Sequence, residues 1–367
     1  VYLRSLTLQN FRNYRQQTLS FHPRLNLIVG KNGQGKTNIL ESIHLLATAR
    51  AFSRMKTDEL ITFGEHHGRV KGEFETAGGL SEVHIILSPD GKTITLNGKV
   101  VYDPSRILSK FSLVCFLPQD TNIVKGPPSE RRRYLDEVIC GIDPLHLKDL
   151  RQYSRAILQR NSILQKNPAL TESIQIWDKQ IAEIGARIIK RRRELIKRLN
   201  PLLGNTYRTI SGADVHTAIE YSSSIPEEGD TESRLREELA ERRELDKSRG
   251  HTTVGPHRDK PELTLNHLNA SAFASQGEAK TLAIALRSSE ITLIKNTLGR
   301  IPILLLDDIS SELDESRKGY LYQLLGKFPG QMFLTATSTA DVSFKEDKKI
   351  FLIKEGTARL LNPERER

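Results

Sequence analysis

Residues Gly30-Lys31-Asn32-Gly33-Gln34-Gly35-Lys36-Thr37 match the pattern G-x-x-x-x-G-K-[ST], and no other stretch limits the fold as sharply. The glycines let successive backbone N–H groups converge on phosphate oxygens. Such a loop needs a strand feeding it and a helix leaving it, with the helix's positive end aimed at the same anion. Both flanks fit. Leu25-Asn26-Leu27-Ile28-Val29 reads as a buried strand, and beyond Thr37 the residues Ile39, Leu40, Ile43, Leu46 and Ala47 recur on one helical face. The chemistry this predicts is ATP binding, with Lys36 reaching the β- and γ-phosphates and Thr37 holding Mg²⁺.

A phosphate loop of this kind works with an acidic strand end. Ile303-Leu304-Leu305-Leu306 runs directly into Asp307-Asp308. Two carboxylates at a buried strand end are costly unless they meet a cation or water. Asp307 is expected to hold Mg²⁺, directly or through water, and Asp308 to orient or deprotonate the attacking water. Alone, the pair also suits a solvated turn; the loop at 30–37 gives it weight. A third signal is Ser275-Gln276-Gly277-Glu278, which opens a helix carrying Leu282, Ile284, Ala285 and Leu286. Ser275 and Glu278 form a capping box. The same helix end also offers N–H groups and a hydroxyl to a phosphate.

The chain has 367 residues, room for two domains or for one domain with a large insertion. Residues 68–102 alternate, with Val83, Ile85 and Leu87, then Ile94 and Leu96, around Pro89-Asp90-Gly91. They predict an antiparallel sheet. After Pro127-Pro128 the pattern is helical to about residue 200, with Ile181, Ile184, Ile188, Leu195 and Leu199 in register. Pro168 interrupts it, and Thr171 caps the next helix with Glu172 in its first turn. The charged residues 226–248 predict a loop and an exposed helix. Apolar strands return after residue 250: Leu263 and Leu265, Ile303 to Leu306, Met332 to Leu334, and Ile350 to Ile353. The expected architecture is α/β: a phosphate-loop head from residues 1–128 and 250–367 with an antiparallel β subdomain, and an inserted helical lobe at 129–249.

The net charge is +10 and the pI about 9.5, which suits either an anionic partner such as nucleic acid or simple solubility. Within 187–198 lie Arg187, Lys190, Arg191, Arg192, Arg193, Lys197 and Arg198 against one acid, Glu194. This is either a solvated helix face or a DNA-backbone contact, sequence-independent and salt-sensitive. Arg131, Arg132 and Arg133 form a second basic stretch, and the sequence does not choose between the two. Cys115 and Cys140 have neither disulfide-framework nor metal spacing. No apolar run reaches membrane-span length, and Val1 to Leu6 lack a signal-peptide pattern. Together these predict the cytoplasm.

The order of phosphate loop, Gln119, Ser275-x-Gly277-Glu278, Ile303 to Asp308 and Ser311-Glu312-Leu313-Asp314 resembles the ABC-type ATPases of the SMC and DNA-repair group. Four further stretches resemble the RecF family of bacterial recombination-repair proteins. They are Asn10-Phe11-Arg12-Asn13-Tyr14, Gly33 to Asn38 running into Leu40-Glu41-Ser42-Ile43, Val124-Lys125-Gly126-Pro127-Pro128 with Arg131 to Asp136, and Val254-Gly255-Pro256-His257-Arg258-Asp259. The resemblance implies an ABC-type head that forms an ATP-dependent homodimer, in which Lys36 and Thr37 of one copy face Ser275 and Gly277 of the other. It implies Gln119 beside Mg²⁺ and the attacking water, Arg12 and Asn38 near the nucleotide, and Asp314 at the dimer seam. It also implies binding to single-stranded DNA and single-strand/double-strand junctions, action with RecO and RecR in loading RecA, and a part in replication and the SOS response.

Two departures stand out. Most ABC-type ATPases carry Glu where this chain has Asp308, which predicts slow hydrolysis. Leu334-Thr335-Ala336-Thr337-Ser338 holds no switch histidine, which weighs against a transporter-type motor. A non-catalytic, nucleotide-gated DNA-binding protein is the alternative. A small-molecule kinase is poorly served by the serine-headed helix and the basic insertion.

Overall fold

Unbroken apolar runs and alternating ones build two different sheets in the first of the molecule's two units, Val1–Asp120, Thr209–Ser211 and Glu290–Arg367. The computed structural model describes residues 1–52, 56–166, 171–308, 315–339 and 347–361. Elements are numbered along the chain. The first unit holds β1 (Tyr2–Phe11), β2 (Tyr14–Ser20), β3 (Leu25–Val29), α1 (Lys36–Thr48), β4 (Gly68–Thr76), β5 (Gly79–Ser88), β6 (Gly91–Leu96), β7 (Lys99–Val100), α2 (Ser105–Leu108) and β8 (Leu113–Phe116). After the chain segment of the second unit it resumes with β12 (Ile303–Leu306), α11 (Glu315–Lys327), β13 (Met332–Ala336), β14 (Lys348–Lys354) and β15 (Thr357–Leu361), the intervening numbers belonging to that unit.

The alternating strands form an antiparallel six-stranded sheet, β2-β1-β4-β5-β6-β7. One face is apolar: Leu6 and Leu8, Val70, and Val83 and Ile85 are buried. The continuous apolar runs form a second sheet, β15-β14-β3-β13-β12-β8. Its strands from β14 to β8 are parallel, and β15 returns antiparallel. A strand covered on both faces needs no polar alternation, and β3, β12 and β13 are buried at every position. Helix α1 joins the core of both sheets, so its apolar residues extend well beyond one stripe: Ile39, Leu40, Ile43, Leu45, Leu46 and Ala47 are all buried.

The second unit comprises Thr121–Arg208 and Gly212–Ser289. It contains α3 (Thr121–Lys125), α4 (Pro128–Ile142), α5 (Leu145–Lys166), α6 (Thr171–Ser211), β9 (Thr217–Ser222), α7 (Thr231–Glu241), α8 (Arg243–Arg249), β10 (Lys260–Leu265), β11 (Leu268–Asn269) and α9 (Ala270–Phe273). Helix α10 (Gln276–Leu298) belongs to it up to Ser289. Tyr153, Ala156, Ile181, Ile184 and Ile188 from α5 and α6 form its core with Leu235, Leu239 and Val254. Inside lies an ionic cluster. Arg160 is fully buried and donates to Asp178 at 2.6 Å, Asp246 at 2.6 Å and the Thr252 hydroxyl at 2.9 Å. Arg243 completes Asp178 at 3.0 Å. Among the described residues no helix is long and apolar enough to cross a membrane.

The structure corrects four expectations. The lobe boundaries fall at 120/121 and 289/290, not at 128 and 250. The strand around Leu263 and Leu265 is β10, which pairs antiparallel with β9 and so stays with the second unit. The helical run does not stop near residue 200, because Leu203, Tyr207 and Ile210 extend its buried face past Pro201. The charged helix after 226 is amphipathic and not simply exposed, since Leu235 and Leu239, four residues apart, are both fully buried. Pro168 lies outside the described residues, as do the side chains of Thr171 and Glu172.

Removing Arg160 would strand Asp178 and Asp246 as buried, under-compensated charges. Arg160→Met is therefore expected to lower unfolding free energy by about 3–5 kcal/mol. Urea unfolding followed by circular dichroism measures this, and a loss below about 1 kcal/mol would show that the cluster contributes little.

Candidate functional site

The register of the parallel sheet fixes where chemistry gathers. Val29 of β3 lies opposite Ala336 of β13, and Leu306 of β12 lies between Leu334 and Phe116 of β8. The residues that follow these strand ends meet in the crevice beyond the carboxyl edge, where open α/β sheets bind ligands. A cleft of about 320 Å³ opens there. Asn32, Gly33, Gly35, Lys36, Thr37 and Asn38 line it together with Pro118, Asp307 and Asp308.

The loop's shape depends on two glycines pressed against neighbours. A Cβ on Gly30 would come within 2.5 Å of the Ile353 carbonyl oxygen, and one on Gly35 within 2.6 Å of the Asn13 side chain. Gly35, at φ 112°, stands at the N-cap of α1 and supplies no side-chain cap. The earliest N–H groups of the helix are thus left for an outside acceptor. Lys36 is buried, and its ammonium folds back on the loop, donating to the Gly30 carbonyl at 2.5 Å, the Lys31 carbonyl at 3.2 Å and Asn32 Oδ1 at 3.2 Å.

Gln34 and Lys31 do not line the cleft. Gln34 Oε1 accepts from the Glu355 N–H at 2.7 Å, and its carbonyl accepts from Asn13 Nδ2 at 2.8 Å. Asn13 Oδ1 in turn accepts from Asn38 Nδ2 at 2.8 Å, and the Tyr14 hydroxyl donates to the Gly35 carbonyl at 2.9 Å. Loop, β1–β2 turn and β14–β15 turn are thereby tied together. Sequence reasoning gave Asn13 and Tyr14 no role. The signal was their place in the Asn10 to Tyr14 stretch, but nothing local says that a hairpin turn will grip a loop some twenty residues on.

The acidic strand end meets the loop directly. The Thr37 hydroxyl reaches both Asp307 carboxylate oxygens, at 3.0 and 2.9 Å. Thr335, in the strand between them, donates to Asp307 Oδ1 at 2.9 Å and accepts from the Asp308 N–H at 2.8 Å. The sequence offered Thr335 only as one of the hydroxyls where a histidine was absent; it is buried and bridges both acids. Burial pushes the Asp307 carboxyl above its usual range, and the neighbouring Asp308 charge adds to this. The two threonine hydroxyls and Lys36 pull in the opposite direction and do not overcome it. A desolvated carboxylate beside a second acid suits a hard cation. Asp308 is less buried and adopts φ 44°, a left-handed conformation that Asp tolerates better than most residues.

Other expected residues are not among those that line the cleft. Gln119 is exposed on the one-turn helix Pro118–Asp120, next to Pro118 of the wall. Arg12 forms an ion pair with Glu41 at 2.8 Å and donates to the Glu59 carbonyl at 2.9 Å. In the second unit Ser275 and Glu278 form the capping box: Ser275 N–H donates to Glu278 Oε2 at 2.7 Å, and Glu278 N–H to Ser275 Oγ at 3.2 Å. Gly277 follows in the first turn of α10. Ser311 to Asp314 lie outside the described residues.

Two basic residues leave the DNA-contact set. Arg131 is buried, and its guanidinium donates to the carbonyls of Pro261, Ile123, Val124 and Gly126. Arg192 is buried and donates to both oxygens of Asp136, at 2.9 and 2.8 Å, and to the Pro256 carbonyl at 2.7 Å. Both are structural. Arg132 donates to the Asp259 carbonyl at 2.7 Å and Arg193 to the Ile225 carbonyl at 2.5 Å. Arg191 pairs with Asp143 at 2.9 Å and with Asp149. Lys190 is exposed.

The family model described as RecF/RecN/SMC N terminal domain matches residues 2–358. A relative from Anaeromyxobacter sp. (strain Fw109-5), "DNA replication and repair protein RecF", is 39% identical over 341 residues, 91% of this chain and 92% of its own length. Among solved structures, that of the recombination mediator protein RecF-ATP in the RecFOR pathway superimposes with a TM-score of 0.91 at 35% identity, covering 98% of each chain. A Pyrococcus furiosus Smc head domain shares the fold at TM-score 0.56 and 17% identity. The fold is that of an ABC-type ATPase head.

The raised Asp307 carboxyl gives a signed expectation. A carboxyl that binds its proton more tightly when folded disfavours the fold as pH rises past its unfolded pKa. Asp307→Asn keeps an acceptor for Thr37 and Thr335 and removes that cost. Without ligand, the variant's melting midpoint is expected to lie about 1–4 °C above the parent near neutral pH, with the gain vanishing toward pH 4. Differential scanning fluorimetry against pH measures this, and a lower midpoint at pH 7 would contradict the assignment.

Proposed function

The chain belongs to the RecF family of DNA replication and repair proteins, and we propose that it is an ATPase whose ATP-dependent homodimer clamps DNA. The observation that carries this reading is the coupling of phosphate loop and acidic strand end through Thr37, Asp307 and Thr335. Lys36 would exchange the loop carbonyls for the β- and γ-phosphates. Mg²⁺ would be held by the Thr37 hydroxyl and by Asp307, directly or through water, leaving its other positions to phosphate oxygens and water. Asp308 would orient the attacking water, with Gln119 and Arg12 approaching only in the loaded site. ATP with its metal supplies the transferable γ-phosphoryl group.

One copy contributes only part of this site. Ser275 and Gly277, at the start of α10, would face the γ-phosphate bound by a second copy, using the free N–H groups of a helix N-terminus. The capping box is compatible with that role. Ser275 Oγ accepts from the Glu278 N–H, and its hydroxyl, which faces the Glu278 carboxylate, would turn from that acid to meet the phosphate. DNA would be held through its phosphates by Lys190, Arg191, Arg193 and Arg132, at single-stranded segments and single-strand/double-strand junctions. The family reading adds action with RecO and RecR in loading RecA, and a part in the SOS response. Hydrolysis would be slow and serve release, because Asp308 is one methylene shorter than the glutamate usual in ABC-type ATPases. The same shortness supports a second reading, nucleotide as a structural gate only. Phosphate release, absent with and without DNA, would favour that gate.

Sedimentation velocity with ATP, ADP and no nucleotide tests the main reading. ATP alone is expected to drive dimers, and Lys36→Ala to abolish them. If Lys36→Ala still dimerises on ATP and holds gapped DNA like the parent, the clamp mechanism is wrong. Lys190→Ala is expected to weaken DNA binding across sequences and to lower the slope of log K against log[salt] by about 1. Fluorescence anisotropy at several salt concentrations measures it, and an unchanged slope excludes Lys190 from the contact.

A further inference from the structure

By sequence, Arg131 to Arg133 are weighed as DNA contacts, and the Val124 to Pro128 stretch before them carries only the resemblance. Its geometry describes another task. Lys125, the last residue of α3, extends its ammonium to the Ala274 carbonyl and to the Ser271 carbonyl at 3.4 Å. Ser271 lies in α9, a single turn, and Ala274 is the residue that joins it to Ser275. The final carbonyls of a helix have no partners within it, and a cation there satisfies them and complements the dipole. The other end of α9 is fixed as well: Asn269 Oδ1 caps it by accepting from the Ser271 N–H at 2.9 Å, and Asn269 Nδ2 donates to Glu262 at 3.1 Å. Glu278, the acid of the capping box, also feels the Lys125 charge.

Lys125 is itself held from behind. Arg131 Nη1 donates to the carbonyls of Ile123 at 3.3 Å, Val124 at 3.2 Å and Gly126 at 2.9 Å, on either side of Lys125, while Nε anchors to the Pro261 carbonyl of β10 at 2.6 Å. At Gly126 a Cβ would fall 2.4 Å from the Asn122 carbonyl oxygen, so the turn after α3 closes only without a side chain. The chain of support runs from β10 through Arg131 to the α3–α4 turn, and through Lys125 to the residue before Ser275.

We propose that Lys125 is a positioning residue for the half of the ATP site presented to a second copy, fixing the path from α9 to α10 so that Ser275 and Gly277 meet the partner's nucleotide. The inference rests on the dimeric site proposed above. Lys125 touches no nucleotide in this arrangement; it acts through the Ala274 carbonyl. A serine on an unfixed tether would lose orientation, and orientation decides whether a trans contact forms.

The test compares the full-length parent with Lys125→Met, Lys125→Arg and Ser275→Arg. Lys125→Met keeps an unbranched side chain without the charge. It is expected to weaken the ATP-dependent dimer roughly tenfold by sedimentation, while a fluorescent ATP analogue binds the monomer within about twofold of the parent. Lys125→Arg restores a donor and should recover the dimer to within about threefold. The melting midpoint in the absence of nucleotide should not move with either. Unimpaired dimerisation of Lys125→Met overturns the inference, as does a lowered midpoint that Lys125→Arg fails to restore, because the role would then be only structural. Ser275→Arg separates the two layers. If it dimerises on ATP like the parent, or the parent does not dimerise, the trans-site reading itself fails. If it abolishes the dimer while Lys125→Met does not, only the positioning role is lost.

Discussion

A single buried carboxylate organises the nucleotide half of this molecule. Asp307 sits at the end of β12, accepts from Thr335 on the adjacent β13, and meets Thr37 from the loop that follows β3. Strand order places these three side by side, so the contact ties together the three strand ends that define the cleft. The arrangement is uneasy without a cation, since the acid is desolvated and has a second acid beside it. A metal and phosphates bound beside Asp307 would offset the desolvation of that acid. The Thr335 hydroxyl, by donating to one acid and accepting from the backbone of the next, sets how the two acids sit relative to each other.

The parts legible in the sequence were those whose physics is local. The loop, its flanking strand and helix, and the Asp-Asp strand end are contiguous patterns, and each appears where it was read. The capping box of Ser275 and Glu278 is equally local, and both of its hydrogen bonds form. What stayed hidden depended on long-range contact. Gln34 belongs to the loop by spacing, yet its side chain turns to Glu355, more than three hundred residues away. Thr335 looked like a gap in a motif. Its role comes from sheet order, which no window of residues reveals. The first lobe's boundary was misplaced for the same reason: β10 looks like a head strand by composition, but its partner is β9.

Net charge proved a poor guide to which arginines face outward. The sequence of α6 between 187 and 198 carries seven basic residues and one acid, yet the acids that balance it come from elsewhere. Asp136 takes Arg192, Asp149 takes Arg187 and Arg191, and Glu227 takes Lys197. The same holds for Arg131, whose partners are four backbone carbonyls. A guanidinium's planar fork suits this bracing of turns and helix ends. A basic run can therefore record internal bracing as well as a polyanion surface, and exposure separates the two: Lys190 qualifies for the surface, Arg192 does not.

Each half of the proposed site is held by contacts inside its own unit. Loop and acids are set by β1–β2, β13 and the β14–β15 turn, and the serine-headed helix by Lys125, Arg131 and Asn269. A nucleotide could then act as the joint between two preformed surfaces, and its binding energy would go into association, with little spent on refolding either part. Asp308 fits the same logic. A short acid in a left-handed turn, with its N–H committed to Thr335, has little freedom to advance on a water molecule, so a joint made by ATP would outlast one designed for rapid turnover.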